Sequence, residues 1–255
     1  MSVTAITTFL YIFVFLFGIV IGSFLNVCIY RIPLKESIVF PHSHCMTCGY
    51  QLHWYDLVPL FSFLFLRGRC RKCHTKLSLQ YPLVEGMNGA LYVIVFLANG
   101  WNYMSVVYCL LTSALIVLSV LDFRTMEIAD GINLFVLLLG IAATLLDIGA
   151  WKDHVIGMFS VSVFLLIIYL VTVGRGIGGG DIKLMFGAGL LLGWKGAVLA
   201  FFLGCIIGSV IHLIRMAVSH AEHRLALGPY LSVGIWITAL WGTPMIDWYI
   251  GMIKM

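Results

Sequence analysis

The sequence predicts an all-α polytopic membrane protein with about eight transmembrane helices, and three observations carry that prediction. Hydrophobic residues make up 62% of the chain and charged residues 10%, against roughly 45–50% and 25% in a soluble domain. Several apolar runs reach the ~20 residues that a helix needs to cross a bilayer. Period-two alternation is too poor for a membrane β-barrel.

The apolar segments fall at 5–27, 83–99, 103–121, 131–149, 154–173, 184–194, 196–218 and 228–250. The first has neither a basic stretch before it nor a small-residue cleavage site after it, so it reads as a retained helix rather than a signal peptide. Arg31 and Lys35 follow it closely, which under the positive-inside rule puts the amino terminus outside and residues 31–80 in the cytosol. Eight crossings then place every Lys and Arg of that loop inside, together with Arg124, Arg175, Lys183, Arg215 and Arg224. Only Lys152, Lys195 and Lys254 fall outside. The segment 184–194 is short for a span at ~1.5 Å per residue, yet making it non-crossing would put Arg215 and Arg224 outside. The net charge of +4 is therefore a topology signal, with basic residues at lipid headgroups rather than on a nucleic acid. Three regions result: a first transmembrane helix at 1–30, a polar cytosolic loop at 31–82, and a membrane core at 83–255.

The loop contains "CMTCGYQLHWYDLVPLFSFLFLRGRCRKCHTKL", in which Cys45 and Cys48 form one C-x-x-C and Cys70 and Cys73 another. Two such units supply four thiolates to one tetrahedral zinc at the spacing of a zinc ribbon. Gly49 suits the tight turn that lets backbone amides face the sulfurs, and Arg69, Arg71 and Lys72 offset part of the thiolate charge. The competing readings are two disulfides, which a reducing cytosol disfavours, and unrelated buried thiols, which rarely fall into paired units. His42, His44 and His74 stand beside the cysteines as replacement ligands or as solvated side chains. Cys28, Cys109 and Cys205 lie in apolar segments and read as small packing residues. "FSFLFL" at 61–66 either packs against the ribbon or dips into the membrane interface.

An acid in a membrane segment is costly and begins as a functional candidate. Asp147, Asp153 and Asp247 sit near outer segment ends, where solvation explains them. Glu85 reads equally as a helix-start acid or a site residue, and Asp130 as an N-cap. Asp122 and Asp181 differ. "SVLDFRTMEIADGIN" places Asp122 at the cytosolic end of the third segment, and "GRGIGGGDIKL" places Asp181 at the cytosolic entrance of the sixth. Topology brings both to one face and a similar depth. Two carboxylates in a low-dielectric site cannot both ionise cheaply, so they share a proton and leave one acid and one base. That is the equipment of aspartyl proteolysis. Gly178, Gly179 and Gly180 allow unusual backbone angles and the close approach of a substrate strand beside Asp181. The plain alternative is a flexible turn ending in an Asp cap. Lys183 reads either as a cation that lowers the pKa of a nearby carboxylate or, in preference, as a side chain snorkelling to headgroups.

These residues resemble the type IV prepilin leader peptidases, membrane aspartyl proteases. "GIVIGSFLNVCIYRIP" is similar to the family's first helix and its exit, and "FPHSHCMTCGYQLHWYDLVPLFSFLFLRGRCRKCHTKLSLQYPLVEGMNG" to its cytosolic loop. "GGGDIKL" carries the family's G-x-G-D as Gly178-x-Gly180-Asp181, "LDFRTMEIADGIN" matches the region of its first catalytic aspartate at Asp122, and "ALGPYLSVG" resembles the opening of its last helix. The chain departs from the pattern at Met46 and Ala129, each standing where proline is common. The resemblance implies a bacterial inner-membrane enzyme with Asp122 and Asp181 as catalytic pair. Its substrate would be a type IV prepilin or pseudopilin, cut after a glycine at the cytosolic face. As in many members, it also implies methylation of the new terminal amine from S-adenosylmethionine, whose binding residues no glycine-rich motif marks; the alternative is cleavage without methylation, and homo-oligomerisation is left open. Two rival classes remain: a cation or proton transporter using the two acids as ligands, and a scaffold whose zinc loop recruits partners.

Overall fold

Each long apolar run of the sequence forms helix in the computed structural model, which describes residues 3–219 and 226–253. Arg224 and Lys254 lie outside the described residues. The long helices are α1 (Val3–Arg31), α3 (Gln80–Asn99), α4 (Tyr103–Thr125), α5 (Asp130–Leu146), α6 (Trp151–Val171), α7 (Gly179–Ser219) and α8 (Gly228–Ile253). A five-residue helix, α2 (Phe61–Phe65), stands in the polar loop. Among the described residues there is no strand, only two isolated bridges. Five stretches are long and apolar enough to cross a membrane: Thr4–Arg31, Gln80–Asn99, Tyr103–Thr125, Ile148–Val171 and Gly179–Val218. Asp130–Leu146 is a shorter apolar helix. The chain divides into two units, Met1–Leu97 and Ala98–Met255.

In the first unit α1 packs on α3 through small residues. A Cβ on Gly18 would lie 2.7 Å from the Gly89 Cα, and one on Gly22 would lie 2.7 Å from the Glu85 Cα. Backbones this close leave polar side chains to stitch the seam, as expected between membrane helices. Asn88 donates to the Gly18 carbonyl at 2.7 Å, and Asn26 donates to the Tyr81 carbonyl at 3.2 Å. Where α1 ends, the buried Arg31 donates to the carbonyls of Ser37 (2.9 Å) and Pro41 (2.6 Å), folding the loop back on the helix. The apolar stretch in the loop divides its loyalties. Phe63 turns in against Gly68, while Phe61, Leu64 and Phe65 are exposed.

The second unit holds α4 to α8. A nominal 41-residue helix at ~1.5 Å per residue would far exceed a bilayer, and α7 is in fact broken at Gly193, whose φ of 73° and ψ of 173° are not helical. The contacts on α6 show that the chain reverses there. Gly157 meets both Gly189 and Gly193, Phe159 meets Phe186, and Phe164 meets Phe201, so both arms run alongside α6 away from the break. The short segment 184–194 is thus the end of a longer arm, 179–192, that begins before its apolar part. Ending a helix leaves carbonyls without partners. The Leu190 carbonyl lies 2.8 Å from Nδ1 of the buried His154, with the Thr144 hydroxyl at 3.4 Å. Gly140 on Gly187, Gly157 on Gly189, and Gly234 on Ala200 bring α5, α6 and α8 into backbone contact with α7.

Candidate active site

Asp122 and Asp181 are brought together inside the second unit. Asp122 lies in the last turn of α4, and its Oδ2 accepts from the Gly228 amide at 2.9 Å. Gly228 opens α8, so this carboxylate takes up one of the amides that a helix start leaves unpaired. Asp181 lies in the first turn of α7. Each carboxylate therefore faces the positive end of a helix. Both are buried, 5% and 8% exposed, and close enough for the charge of one to act on the other. The Asp181 Oδ1 is buried and has no hydrogen-bond partner among the described residues.

The glycines before Asp181 serve by their size. None of Gly178, Gly179 and Gly180 has a positive φ. A Cβ on Gly180 would lie 2.8 Å from that of Ile128, in the α4–α5 connection, and one on Gly178 would lie 3.1 Å from the Asp181 Oδ2. Close approach is used here; unusual backbone angles are not. Asn133, buried in α5, donates to the Gly180 carbonyl at 3.3 Å, and its own Oδ1 has no hydrogen-bond partner among the described residues.

Neighbouring polar residues take places the sequence did not foresee. Lys183 pairs with Asp130 at 2.6 Å, both side chains being exposed. Asp130 lies inside the first turn of α5, whose N-cap is Ala129. Glu85 is not a helix-start acid: α3 begins at Gln80, and the buried Glu85 carboxylate accepts from the Leu60 amide at 2.8 Å.

In the first unit the four cysteines of the two C-x-x-C units converge, with their sulfurs all within 4.8 Å of one another. They form no disulfide, and none of His42, His44 and His74 joins the group. The two turns are built alike. Cys45 N donates to Tyr50 O and Gly49 N to Cys45 O, while Cys70 N donates to Thr75 O and His74 N to Cys70 O. Gly49 and His74 hold the same left-handed position, φ 67° and 57°. Between the turns the buried Asp56 takes Arg71 at 2.7 Å, and the guanidinium stacks on Tyr55. The Thr75 hydroxyl, 3.3 Å from the Cys73 sulfur, and then the Thr75 amide hold that thiol down at about 6. The Cys48 amide draws Cys45 down. The Tyr50 amide pulls Cys48 down too, but burial and the neighbouring sulfurs outweigh it and leave that thiol at about 11. Four thiols so close hold back protons that a cation would displace. This donor set fits one metal ion.

Two family descriptions match the chain, the bacterial peptidase A24 N-terminal domain over residues 16–99 and the type IV leader peptidase family over residues 109–213. Among curated proteins, the prepilin leader peptidase/N-methyltransferase of Aeromonas salmonicida is 33% identical, with 94% of each chain covered. The Bacillus subtilis protein of the same name is 33% identical over 93% of this chain and 97% of its own. That of Neisseria gonorrhoeae is 32% identical over 86% of each. The chain belongs to the type IV leader peptidase family. No solved structure matches it. Within the family match at 109–213 lie both buried aspartates, and within that at 16–99 lie α1 from Leu16 onward, the cysteine lobe and α3. Family membership sets aside the transporter and scaffold readings. Sequence reasoning missed two residues that contact the candidate site, Gly228 at Asp122 and Asn133 at the Gly180 carbonyl. Gly228 stood only within the resembling "ALGPYLSVG", and nothing in sequence linked either to the aspartates.

Proposed function

We propose that this protein cuts the leader from type IV prepilins or pseudopilins with Asp122 and Asp181, and then methylates the amine so exposed. The observation that carries the reading is a pair of buried carboxylates, one in the last turn of α4 and one in the first turn of α7, in a chain of this family. Sharing one proton, the pair does the work of base and acid together. The ionised carboxylate takes a proton from a water molecule as the oxygen attacks the scissile carbonyl carbon. The protonated carboxyl gives its hydrogen to that carbonyl oxygen; as the C–N bond breaks, the carboxyl that took the water's proton passes it to the leaving amine, and the other carboxylate recovers a proton from a hydroxyl of the tetrahedral diol. The Asp181 Oδ1, lacking a donor, is where the attacking water or a substrate amide would bind. Cutting follows a glycine at the cytosolic membrane boundary, with the amino terminus outside and the cysteine lobe in the cytosol.

The metal of the cysteine lobe is zinc in this reading. A tetrahedral zinc with ~2.3 Å bonds sets its sulfurs ~3.8 Å apart, and Cys45 and Cys73 stand at 3.8 Å. Its role is structural, since four protein thiolates leave no open position for chemistry. Bound S-adenosylmethionine supplies an electrophilic methyl group on a sulfonium sulfur; the chain's part is to hold that donor and the new amine.

The test is incubation of the purified protein with a prepilin and labelled S-adenosylmethionine, followed by mass spectrometry of the pilin amino terminus. Wild type yields a cut, methylated terminus. Asp122→Asn and Asp181→Asn, near-isosteric and unable to ionise, each lower cleavage by at least ~100-fold, the usual scale of general acid–base catalysis. A single Asn variant that still processes prepilin at the wild-type rate excludes that residue from the pair.

A further inference from the structure

A cavity of about 470 Å³ lies in the first unit, between α1, the start of α3 and the cysteine lobe. Its size is that of a small-molecule pocket, roughly 300–1,000 Å³. Two of the charged groups on its wall are buried and carry no ion pair among the described residues. Glu85 is 6% exposed, and its carboxylate meets only the Leu60 amide and the Ser23 side chain. Arg31 is 7% exposed, and its guanidinium meets only the carbonyls of Ser37 and Pro41. The remaining charges on the wall are already paired, as Asp56 is with Arg71, or open to solvent, as are Glu36, Arg69 and Lys76. A charge withdrawn from water without an opposite partner is unstable. One cavity therefore presents a carboxyl group and a guanidinium, each without an opposite charge among the described residues.

A ligand bearing positive charge alone would satisfy Glu85 and strand Arg31. A ligand with both signs would satisfy both. The ligand that the methyl-transfer reading requires has that pattern: a carboxylate, an ammonium and a sulfonium that cannot be neutralised by losing a proton. It also carries a flat adenine, for which Tyr30, Phe63 and Tyr81 line the same space.

We propose that this cavity is the S-adenosylmethionine site, with Glu85 facing the positive end of the ligand and Arg31 its carboxylate. The inference rests on the methyl-transfer reading and adds a place to it. The site belongs to the helices flanking the lobe as much as to the lobe, which is why no loop motif marks it.

The experiment is direct ultraviolet crosslinking of methyl-tritiated S-adenosylmethionine to the full-length protein in detergent, with peptide mapping, alongside calorimetry of the wild type and Glu85→Gln. Glutamine keeps the acceptor for the Leu60 amide and removes only the charge. Label is expected on peptides spanning 23–31 or 81–85, displaced by S-adenosylhomocysteine and not by phosphatidylethanolamine, the zwitterionic headgroup that could also answer two opposite charges. Glu85→Gln, with a wild-type melting curve, is expected to bind at least about tenfold more weakly, the loss of one buried charge partner. Label confined to other peptides, competition by phosphatidylethanolamine alone, or equal affinity in a folded Glu85→Gln overturns the site while methyl transfer stands. A wild-type protein that neither binds the donor nor methylates cut pilin overturns both readings.

Discussion

Gly228 matters through the atom it lacks. A Cβ at that position would lie 2.6 Å from the Asp122 Oδ2 and 3.0 Å from its Cγ, against the carboxylate that the Gly228 amide now holds at 2.9 Å. Gly228→Ala must move the acid or the start of α8. The expected outcome is a fall in leader cleavage of about 100-fold, the scale of a lost acid–base contribution, in a protein that still inserts. Gly131→Ala, where a Cβ meets nothing within 4 Å, is the matched control. Initial rates on one prepilin decide it, and equal rates for the two variants would remove Gly228 from the site. The contrast between Asp122 and Gly228 shows what can be read from residues alone. A carboxylate after a long apolar run is an anomaly on the page, because its burial has a cost wherever the helix goes. A glycine's steric role depends on what faces it, here a side chain 106 positions away. Asn133 is opaque for the same reason: an amide in an apolar helix acquires meaning only beside the Gly180 carbonyl.

Among the elements, α7 is where hydropathy and structure diverge most. The apolar run from Leu184 is too short to cross, because the opening five residues of its helix include Asp181 and Lys183 and so drop out of any hydrophobic count. The arm is completed by these opening residues, Asp181 of the candidate site among them. At its other end Gly193 reverses the chain with φ at 73°, and a Cβ there would overlap the Asp153 carboxylate. Gly193→Ala should therefore destabilise the second unit by about 1–3 kcal/mol, the range for a non-glycine residue held in such a region. Thermal unfolding in detergent would register this as a lowered Tm. An unchanged melt would mean that the turn does not need glycine. The cysteine lobe presents the opposite case. Its paired C-x-x-C spacing disclosed four converging sulfurs, because two residues between thiols is a local constraint that folds the same way in each turn. What spacing left unsaid is the fastening around it, the Arg31 bonds to the Ser37 and Pro41 carbonyls and the Asp56–Arg71 pair.

Across the whole molecule, the two proposed reactions have an order that chemistry imposes. The amine to be methylated does not exist until the leader's peptide bond is broken, so every loss of cleavage is also a loss of methylation. The converse does not hold, because the aspartates lie in one unit and the cysteines in the other. Chelating the metal leaves four mutually repelling sulfurs without the ion that would draw them together, Cys45→Ser leaves three that cannot complete a tetrahedral set, and in small lobes of this kind metal binding supplies much of the folding free energy. The cavity wall includes Cys45 and Cys70, so the lobe's collapse should take the methyl-donor site with it. Metal-stripped enzyme is therefore expected to accumulate pilin that is cut and unmethylated, a product that neither Asp122→Asn nor Asp181→Asn can yield. Mass spectrometry of the pilin terminus separates the three species in one spectrum, and elemental analysis reports the metal. If protein free of metal still methylates at the full rate, the lobe does not depend on zinc. If metal loss halts cutting as completely as it halts methylation, the two units do not work independently, and the division of labour proposed between them is wrong.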